Sequence, residues 1–155
     1  MSQRIIIGGG FAGLAAAKAL RNTSAEVLLI DRTNDHAFQP LLYQVARAVL
    51  TPGQVGFPIC GILRNQKNTT VILVEVTDVD EDQQYVIARN ADREDVHVAY
   101  DYLILVTVVA RSYFGHEEFA AFALGLKSLA DAVATVGFWF GVCRCGTSKE
   151  ISSIV

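Results

Sequence analysis

The first thirty residues alternate apolar runs with small or polar segments. Arg4–Ile7 is apolar after its first residue and rich in isoleucine, as is typical of a parallel strand covered on both faces. Phe11–Arg21 is rich in alanine and has high helix propensity, and Asn22–Ser24 supplies a stop. A second apolar run, Val27–Ile30, ends at Asp31. Together these segments predict a strand, a helix and a parallel strand, the usual βαβ crossover unit.

The middle of the chain predicts loops followed by an antiparallel meander. Residues 32–67 contain all three prolines and show no long period, so we expect loops with short helices there. Polar turns separate three apolar runs, Val71–Val79, Tyr85–Ala88 and Val96–Tyr100. These runs predict a three-stranded antiparallel meander.

The last third predicts one more strand and one helix. Tyr102–Val109 is an apolar, partly β-branched run suited to a buried central strand, and Leu126–Thr135 has a helical pattern. From residue 136 onwards the chain mixes aromatic residues, two cysteines and serines without a clear period. The pattern therefore predicts an α/β fold of the Rossmann type, with a parallel sheet that carries the meander.

Composition and charge exclude several classes of protein. With 52% hydrophobic and 19% charged residues, the chain is too apolar to be disordered throughout. Its net charge of -3, without a basic stripe, lacks the electrostatic attraction that dominates nucleic-acid binding, so we expect no nucleic-acid partner. The late apolar stretch Ala132–Cys143 is shorter than the ~20 residues that a membrane helix needs. We therefore expect no membrane span.

The cysteines favour a reducing, cytoplasmic compartment. Cys60, Cys143 and Cys145 are odd in number and form no C-x-x-C pair, so we expect incidental thiols and no metal site. Cys60 follows Pro58-Ile59 and is expected to be a small core residue.

A glycine fingerprint lies between the first predicted strand and helix. It reads G-x-G-x-x-G over Gly8, Gly9, Gly10, Phe11, Ala12 and Gly13. In this context the first glycine permits a tight turn, the second leaves room for a pyrophosphate, and the third lets the helix pack closely on the strand. The helix N-terminus would then direct backbone N–H groups at the phosphates. The alternative is a structural turn with no ligand.

Asp31 supports the dinucleotide interpretation. It lies 31 − 13 = 18 residues after the last glycine of the fingerprint, at the end of the second predicted strand. A carboxylate there can accept hydrogen bonds from both ribose hydroxyls and disfavours a 2′-phosphate. The alternative is a solvated strand end.

Other candidate residues carry less chemistry. His36, His97 and His116 have no metal-ligand spacing and are expected on the surface or in loops. Neither G-x-S-x-G nor H-E-x-x-H occurs, so the hydrolase classes that use these motifs lack support.

These residues resemble the type II NADH dehydrogenases, single-chain flavoproteins that pass electrons from NADH to quinone at a membrane surface. The resemblance covers residues 1 to 134 and rests on six segments in order: RIIIGGGFAGLAAAKAL, LLIDRTNDHAFQPLLYQVA, TPGQVGFPICGILR, VEVTDVD, YDYLILVT and SYFGHEEF. The segment FQPLLYQVA is much more specific than the glycine fingerprint alone.

The resemblance implies FAD as cofactor and assigns residues to it. Gly8 to Ala12 would hold the pyrophosphate, and Asp31 and Arg32 would lie at the adenosine end. Val76 would contact the adenine through its backbone.

A second implied segment lies near the isoalloxazine ring of FAD. It comprises Gln39, Pro40, Leu41 and Leu42. The alternative is an ordinary amphipathic loop that packs on the meander.

The chain also departs from the family pattern. Residues 106–108 read Val-Thr-Val where the family commonly has Ala-Thr-Gly, and Val108 would be strained if that position needs a positive φ. No segment resembles the family's NADH-binding domain or its membrane-binding C-terminal part.

We therefore expect a partial FAD-binding domain over residues 1–134, incomplete at its C-terminal side, and a divergent tail over 135–155. The resemblance implies NADH as co-substrate, quinone as acceptor and a place at the cytoplasmic face of the membrane, with activity impaired. The alternatives are a non-catalytic module that binds FAD or NAD, and an inert fragment.

Overall fold

In the computed structural model, residues 2–89, 95–107, 115, 118 and 125–144 are described. The chain divides into two compact units, the first comprising Met1–His36 and Phe57–Ala110 and the second Ala37–Gly56 and Arg111–Val155. In chain order the elements are β1 (Gln3–Ile7), α1 (Phe11–Ala19), β2 (Glu26–Asp31), β3 (Asp35–Ala37), a 3-10 helix (Gln39–Leu41), α2 (Leu42–Ala46), α3 (Pro52–Val55), β4 (Gly56–Pro58), α4 (Ile59–Leu63), β5 (Thr69–Leu73), β6 (Glu75–Asp80), β7 (Tyr85–Arg89), β8 (Asp95–Ala99), β9 (Tyr102–Leu105) and α5 (Leu129–Arg144).

The first unit contains a four-stranded parallel sheet with strand order β5-β2-β1-β9. Strands β1 and β2 pair in register from Gln3 with Glu26 to Ile7 with Ile30, and α1 connects them. The predicted βαβ unit is confirmed, and each strand and helix begins and ends within two residues of its predicted limits.

The sheet is covered on both faces, which explains why β1 is apolar without alternation. One face packs against α1 and α4, and the other face packs against the meander. The buried residues of the first face are Ile6, Leu14, Ala17, Val27, Leu29, Ile59 and Leu63. Those of the second face are Ile5, Ile7, Ile30 and Val86.

The antiparallel meander is formed by β6, β7 and β8. Its first strand is shorter than predicted, because the run Val71–Val79 is divided between two sheets. Strand β5 pairs in parallel with β2, and the chain changes partner at Val74, whose N–H donates to the Asp31 carbonyl at 3.0 Å. An apolar run indicates extended backbone but does not identify the neighbouring strand.

Strand β9 pairs with β1 and lies at the end of the strand order among the described residues. The expectation of a central strand is therefore wrong for the described sheet. Tyr102 and Leu105 are 58% and 60% exposed, while Leu103 and Ile104 are half-buried. The apolar run reflects cover on the two faces of the sheet, which carries no information on lateral position.

The second unit is helical in its described part. Its core comprises Leu42, Val45, Val55 and Ala132, which come from α2, α3 and α5. Helix α5 begins where Ser128 and Asp131 cap it reciprocally: the Ser128 N–H donates to Asp131 Oδ2 at 2.9 Å, and the Asp131 N–H donates to Ser128 Oγ at 3.1 Å.

Helix α5 continues to Arg144, well beyond its predicted end at residue 135. The aromatic and small residues after 135 show no clear period, so their sequence did not predict helix. Among the described residues, no helix has both the length and the apolar character needed to cross a membrane.

Candidate functional site

The glycine loop lies at the carboxyl edge of the parallel sheet. The Gly8 N–H donates to the Ile30 carbonyl at 2.8 Å, which ties the end of β1 to the end of β2. In the strand order, β2 and β9 flank β1 on opposite sides. This edge is therefore a point where the strand order reverses, the usual ligand position in open α/β sheets.

At two glycines of the loop, a side chain would collide with the backbone. Gly8 has a φ of +110°, and a Cβ there would collide with the Val106 carbonyl. A Cβ on Gly13 would collide with the Gly8 carbonyl. These two residues shape the turn and allow α1 to pack against β1 and β9.

Gly10 differs from both neighbours because it faces open space. A Cβ on Gly10 would have no heavy atom within 4 Å, whereas one on Gly9 would collide with the Ile59 side chain. The fold therefore does not require glycine at position 10. The space above it is a cradle in which a ligand can approach the backbone.

The N-terminus of α1 suits an anion. Gly10 caps the helix without a side chain, and the first turn contains no acidic residue. Helix geometry leaves the first backbone N–H groups without intrahelical acceptors, and the helix dipole adds positive potential there. A phosphate group fits both features.

Asp31 lies directly beside the loop. Its Oδ2 accepts the Gly9 N–H at 2.6 Å, and its Oδ1 accepts the Thr33 N–H at 2.8 Å and the Thr33 hydroxyl at 3.3 Å. A carboxylate offers about four lone-pair sites, so Oδ2 keeps one for a ligand. The structure thus brings the two parts of the predicted dinucleotide site together.

The remaining predicted residues are distributed over both units. Arg32 follows β2 and is exposed, and Val76 is half-buried in the cluster that contains Ile7 and Ile30. Gln39 and Pro40 are exposed in the 3-10 helix of the second unit. Val108, His116, Cys145 and the side chain of Cys143 lie outside the described part of the chain.

The sequence did not predict the contact of His36 with the glycine loop, since His36 was expected to be an ordinary surface or loop residue. Its side chain is half-buried, and its Nδ1 lies 3.2 Å from the Gly9 carbonyl oxygen. The ring also meets Phe11 edge to face, with ring centroids 4.6 Å apart. The only sequence signal was its place in the specific segment before FQPLLYQVA.

Asn34 contacts the glycine loop indirectly, through the start of α4. Its carbonyl accepts the Ile59 N–H at 2.9 Å, and its Oδ1 accepts the N–H and thiol of Cys60 at 3.1 and 2.9 Å. These bonds hold Ile59 beneath Gly9. Cys60 is exposed, so the expectation of a core thiol is wrong, because the helix turns its side chain away from the buried Ile59.

The residues present fit an adenine dinucleotide such as FAD. The Gly10 cradle and the start of α1 suit its pyrophosphate, and Asp31 suits its ribose. The family model for pyridine nucleotide-disulphide oxidoreductases matches residues 2–134.

Relatives confirm the resemblance to type II NADH dehydrogenases. The chain is 45% identical over 133 residues to the type II NADH:quinone oxidoreductase NdhA of Mycobacterium tuberculosis, covering 86% of this chain and 28% of the relative. It is 42% identical to the type II NADH:quinone oxidoreductase Ndh of the same organism, with the same coverage. The chain thus spans about 28% of the length of these relatives.

Solved structures confirm the fold class. The structure of NDH2 from Plasmodium falciparum in complex with NADH superposes with a TM-score of 0.86 at 23% identity, covering 95% of this chain and 30% of that one. The sulfide:quinone oxidoreductase of Aquifex aeolicus superposes with a TM-score of 0.75 at 22% identity, covering 93% and 33%. From the family match, the chain belongs to the pyridine nucleotide-disulphide oxidoreductase family.

Proposed function

We propose that this chain is the FAD-binding part of an NADH:quinone oxidoreductase. The observation that carries the proposal is the open space at Gly10, next to a loop whose other glycines are packed and beside the Asp31 carboxylate. The names of the Mycobacterium tuberculosis relatives support NADH as electron donor and quinone as acceptor.

The chain's own residues would bind and orient the cofactor. The Gly10 cradle and the first turn of α1 would hold the pyrophosphate, and the free lone pair of Asp31 Oδ2 would accept a ribose hydroxyl. Arg32 would lie at the adenosine end, and the backbone of Val76 would contact the adenine. FAD, when bound, supplies the redox chemistry through its isoalloxazine ring.

In this proposal, Gln39 and Pro40 would lie near the isoalloxazine ring. Both are exposed, and Gln39 Nε2 donates to the Lys127 carbonyl at 3.4 Å, a long bond that a ligand could replace. The place of action at the cytoplasmic face of a membrane also belongs to the proposal, because quinones are membrane-dissolved acceptors.

We also propose that residues 1–134 form the FAD-binding domain and 135–155 a separate tail. The family match over residues 2–134 supports this division. Helix α5 runs from Leu129 to Arg144 across the boundary, so the division is one of sequence ancestry and not of secondary structure.

Reconstitution with FAD tests the proposed function directly. The 155-residue chain, incubated with excess FAD and freed of it by gel filtration, should retain one flavin per chain, read from its visible absorbance. ADP should compete with FAD for binding, because it carries the same pyrophosphate and ribose. A folded preparation that retains no flavin would contradict the proposal.

An Asp31→Asn variant should lose discrimination against a 2′-phosphate. Wild-type protein should bind ADP at least about tenfold more tightly than 2′-phospho-ADP, because a carboxylate at the ribose repels the added phosphate. The amide should reduce that ratio to about threefold or less. It should also weaken the binding of ADP, since its NH₂ group cannot accept a hydrogen bond from Gly9 or Thr33.

Isothermal titration with both nucleotides measures the ratio. Asp35→Asn is the matched control, because Asp35 is an exposed carboxylate on β3, the next strand along the chain, and its substitution changes the net charge equally. Equal affinities of the wild type for the two nucleotides would show that Asp31 does not lie at the ribose.

A further inference from the structure

The side chain of His36 contacts the carbonyl oxygen of the peptide group that links Gly9 to Gly10. Its Nδ1 lies 3.2 Å from the Gly9 carbonyl oxygen, within the range of an N–H···O hydrogen bond. A carbonyl oxygen can only accept, so a hydrogen bond here requires the tautomer that carries its proton on Nδ1. The edge-to-face contact with Phe11, at an interplanar angle of 73°, holds the ring in this orientation.

Peptide planarity transmits this contact to Gly10. The Gly9 carbonyl and the Gly10 N–H belong to the same trans peptide group and point in opposite directions. When His36 holds the carbonyl, the Gly10 N–H is directed away from His36. Asp31 fixes the preceding peptide in the same way, because its Oδ2 accepts the Gly9 N–H at 2.6 Å.

Without such a contact, the peptide between two glycines would reorient easily. Glycine adopts backbone conformations closed to other residues, so the Gly9–Gly10 peptide can rotate at little steric cost. A reversed peptide would present a carbonyl oxygen in place of an N–H, and this oxygen would repel a phosphate.

We propose that His36 is a positioning residue for the dinucleotide loop: its Nδ1–H holds the Gly9 carbonyl and thereby directs the Gly10 N–H towards the pyrophosphate. The inference rests on the proposed function, since it needs a pyrophosphate ligand at Gly10. It assigns no role in electron transfer to the imidazole.

Two substitutions separate the donor from the ring. His36→Asn keeps an N–H donor near the position of Nδ1 and removes the aromatic ring. His36→Phe keeps the ring and its contact with Phe11 and removes the donor. His97→Phe is the control, because His97 also meets an aromatic ring, Tyr85 at 6.1 Å, but lies on the exposed strand β8.

FAD affinity is measured for all three variants and the wild type by quenching of flavin fluorescence. We expect His36→Phe to lower the affinity for FAD about tenfold, because one hydrogen bond is lost. His36→Asn should keep the affinity within about threefold of the wild type, because that bond is retained. His97→Phe should bind as the wild type does. Equal affinities of His36→Phe and wild type, or equal losses in both His36 variants, would overturn the inference.

A measurement without flavin separates this inference from the proposed function. Nitrogen-15 NMR of the wild type should show a protonated Nδ1 on His36, and titration with inorganic pyrophosphate should shift the Gly10 amide. The same titration should leave that amide unmoved in His36→Phe. A wild type that binds pyrophosphate at Gly10 but retains no FAD contradicts only the proposed function, whereas an unprotonated Nδ1 or an unmoved wild-type Gly10 amide overturns the role of His36.

Discussion

A Gly10→Val variant should keep the fold and lose at least about a hundredfold in FAD affinity. The backbone at Gly10 has φ −69° and ψ −169°, an extended conformation that valine adopts readily. Its Cβ would have no heavy atom within 4 Å, so we expect the side chain to extend into open space without a collision. The branched side chain would fill the space that the pyrophosphate needs.

Two further glycines make the result interpretable. Gly53→Val introduces the same side chain at another position with no heavy atom within 4 Å, and it should leave FAD binding unchanged. Gly13→Val should instead destabilise the protein by about 3 kcal/mol or more, because its Cβ collides with the Gly8 carbonyl and cannot be accommodated without backbone movement.

Fluorescence titration with FAD and urea unfolding measure the two effects separately. Gly10→Val should change affinity without changing the unfolding midpoint by much, and Gly13→Val should lower the midpoint. Retention of flavin by Gly10→Val at the wild-type affinity would mean that the loop is a structural turn without a pyrophosphate.

A polypeptide of these 155 residues should oxidise NADH at least about a hundredfold more slowly than a full-length relative, even when FAD is supplied. Hydride transfer needs the nicotinamide held against the flavin at about 3 to 3.5 Å, and this positioning accounts for much of the rate of any such enzyme. The sequence contains a single G-x-G-x-x-G, which we propose binds FAD.

Steady-state NADH oxidation with a soluble quinone measures this rate, with the type II NADH:quinone oxidoreductase NdhA of Mycobacterium tuberculosis as positive control. Protein reconstituted with excess FAD avoids a trivial loss of cofactor. A rate within about tenfold of the control would contradict this prediction. It would mean that these residues alone position the nicotinamide and that the chain contains a second nucleotide site.

Local signals determined the first part of the fold. Isoleucines in β1, alanines in α1 and the apolar run of β2 each specify their own element, and a crossover between adjacent parallel strands follows from chain length and handedness. The fingerprint and Asp31 belong to the same thirty residues, so the closeness of Asp31 to the glycine loop was predictable as well.

Partner choice in the sheet was not predictable from the same signals. The run Val71–Val79 is extended as expected, but its first half pairs with β2 and its second half with β7. Strand β9 is as apolar as a central strand yet lies at the end of the described order. Both outcomes depend on contacts between residues far apart in sequence, which the alternation of side chains does not encode.

The sequence alone therefore determined that a glycine-rich turn links β1 to α1 and that a carboxylate ends β2. Only the tertiary structure decided what each of these residues does. Gly8 and Gly13 are required because backbone carbonyls approach them, whereas Gly10 borders open space. The contact of His36 with Gly9, 27 residues away along the chain, arises because β3 returns beside the loop, and such a contact exists only once the chain has folded.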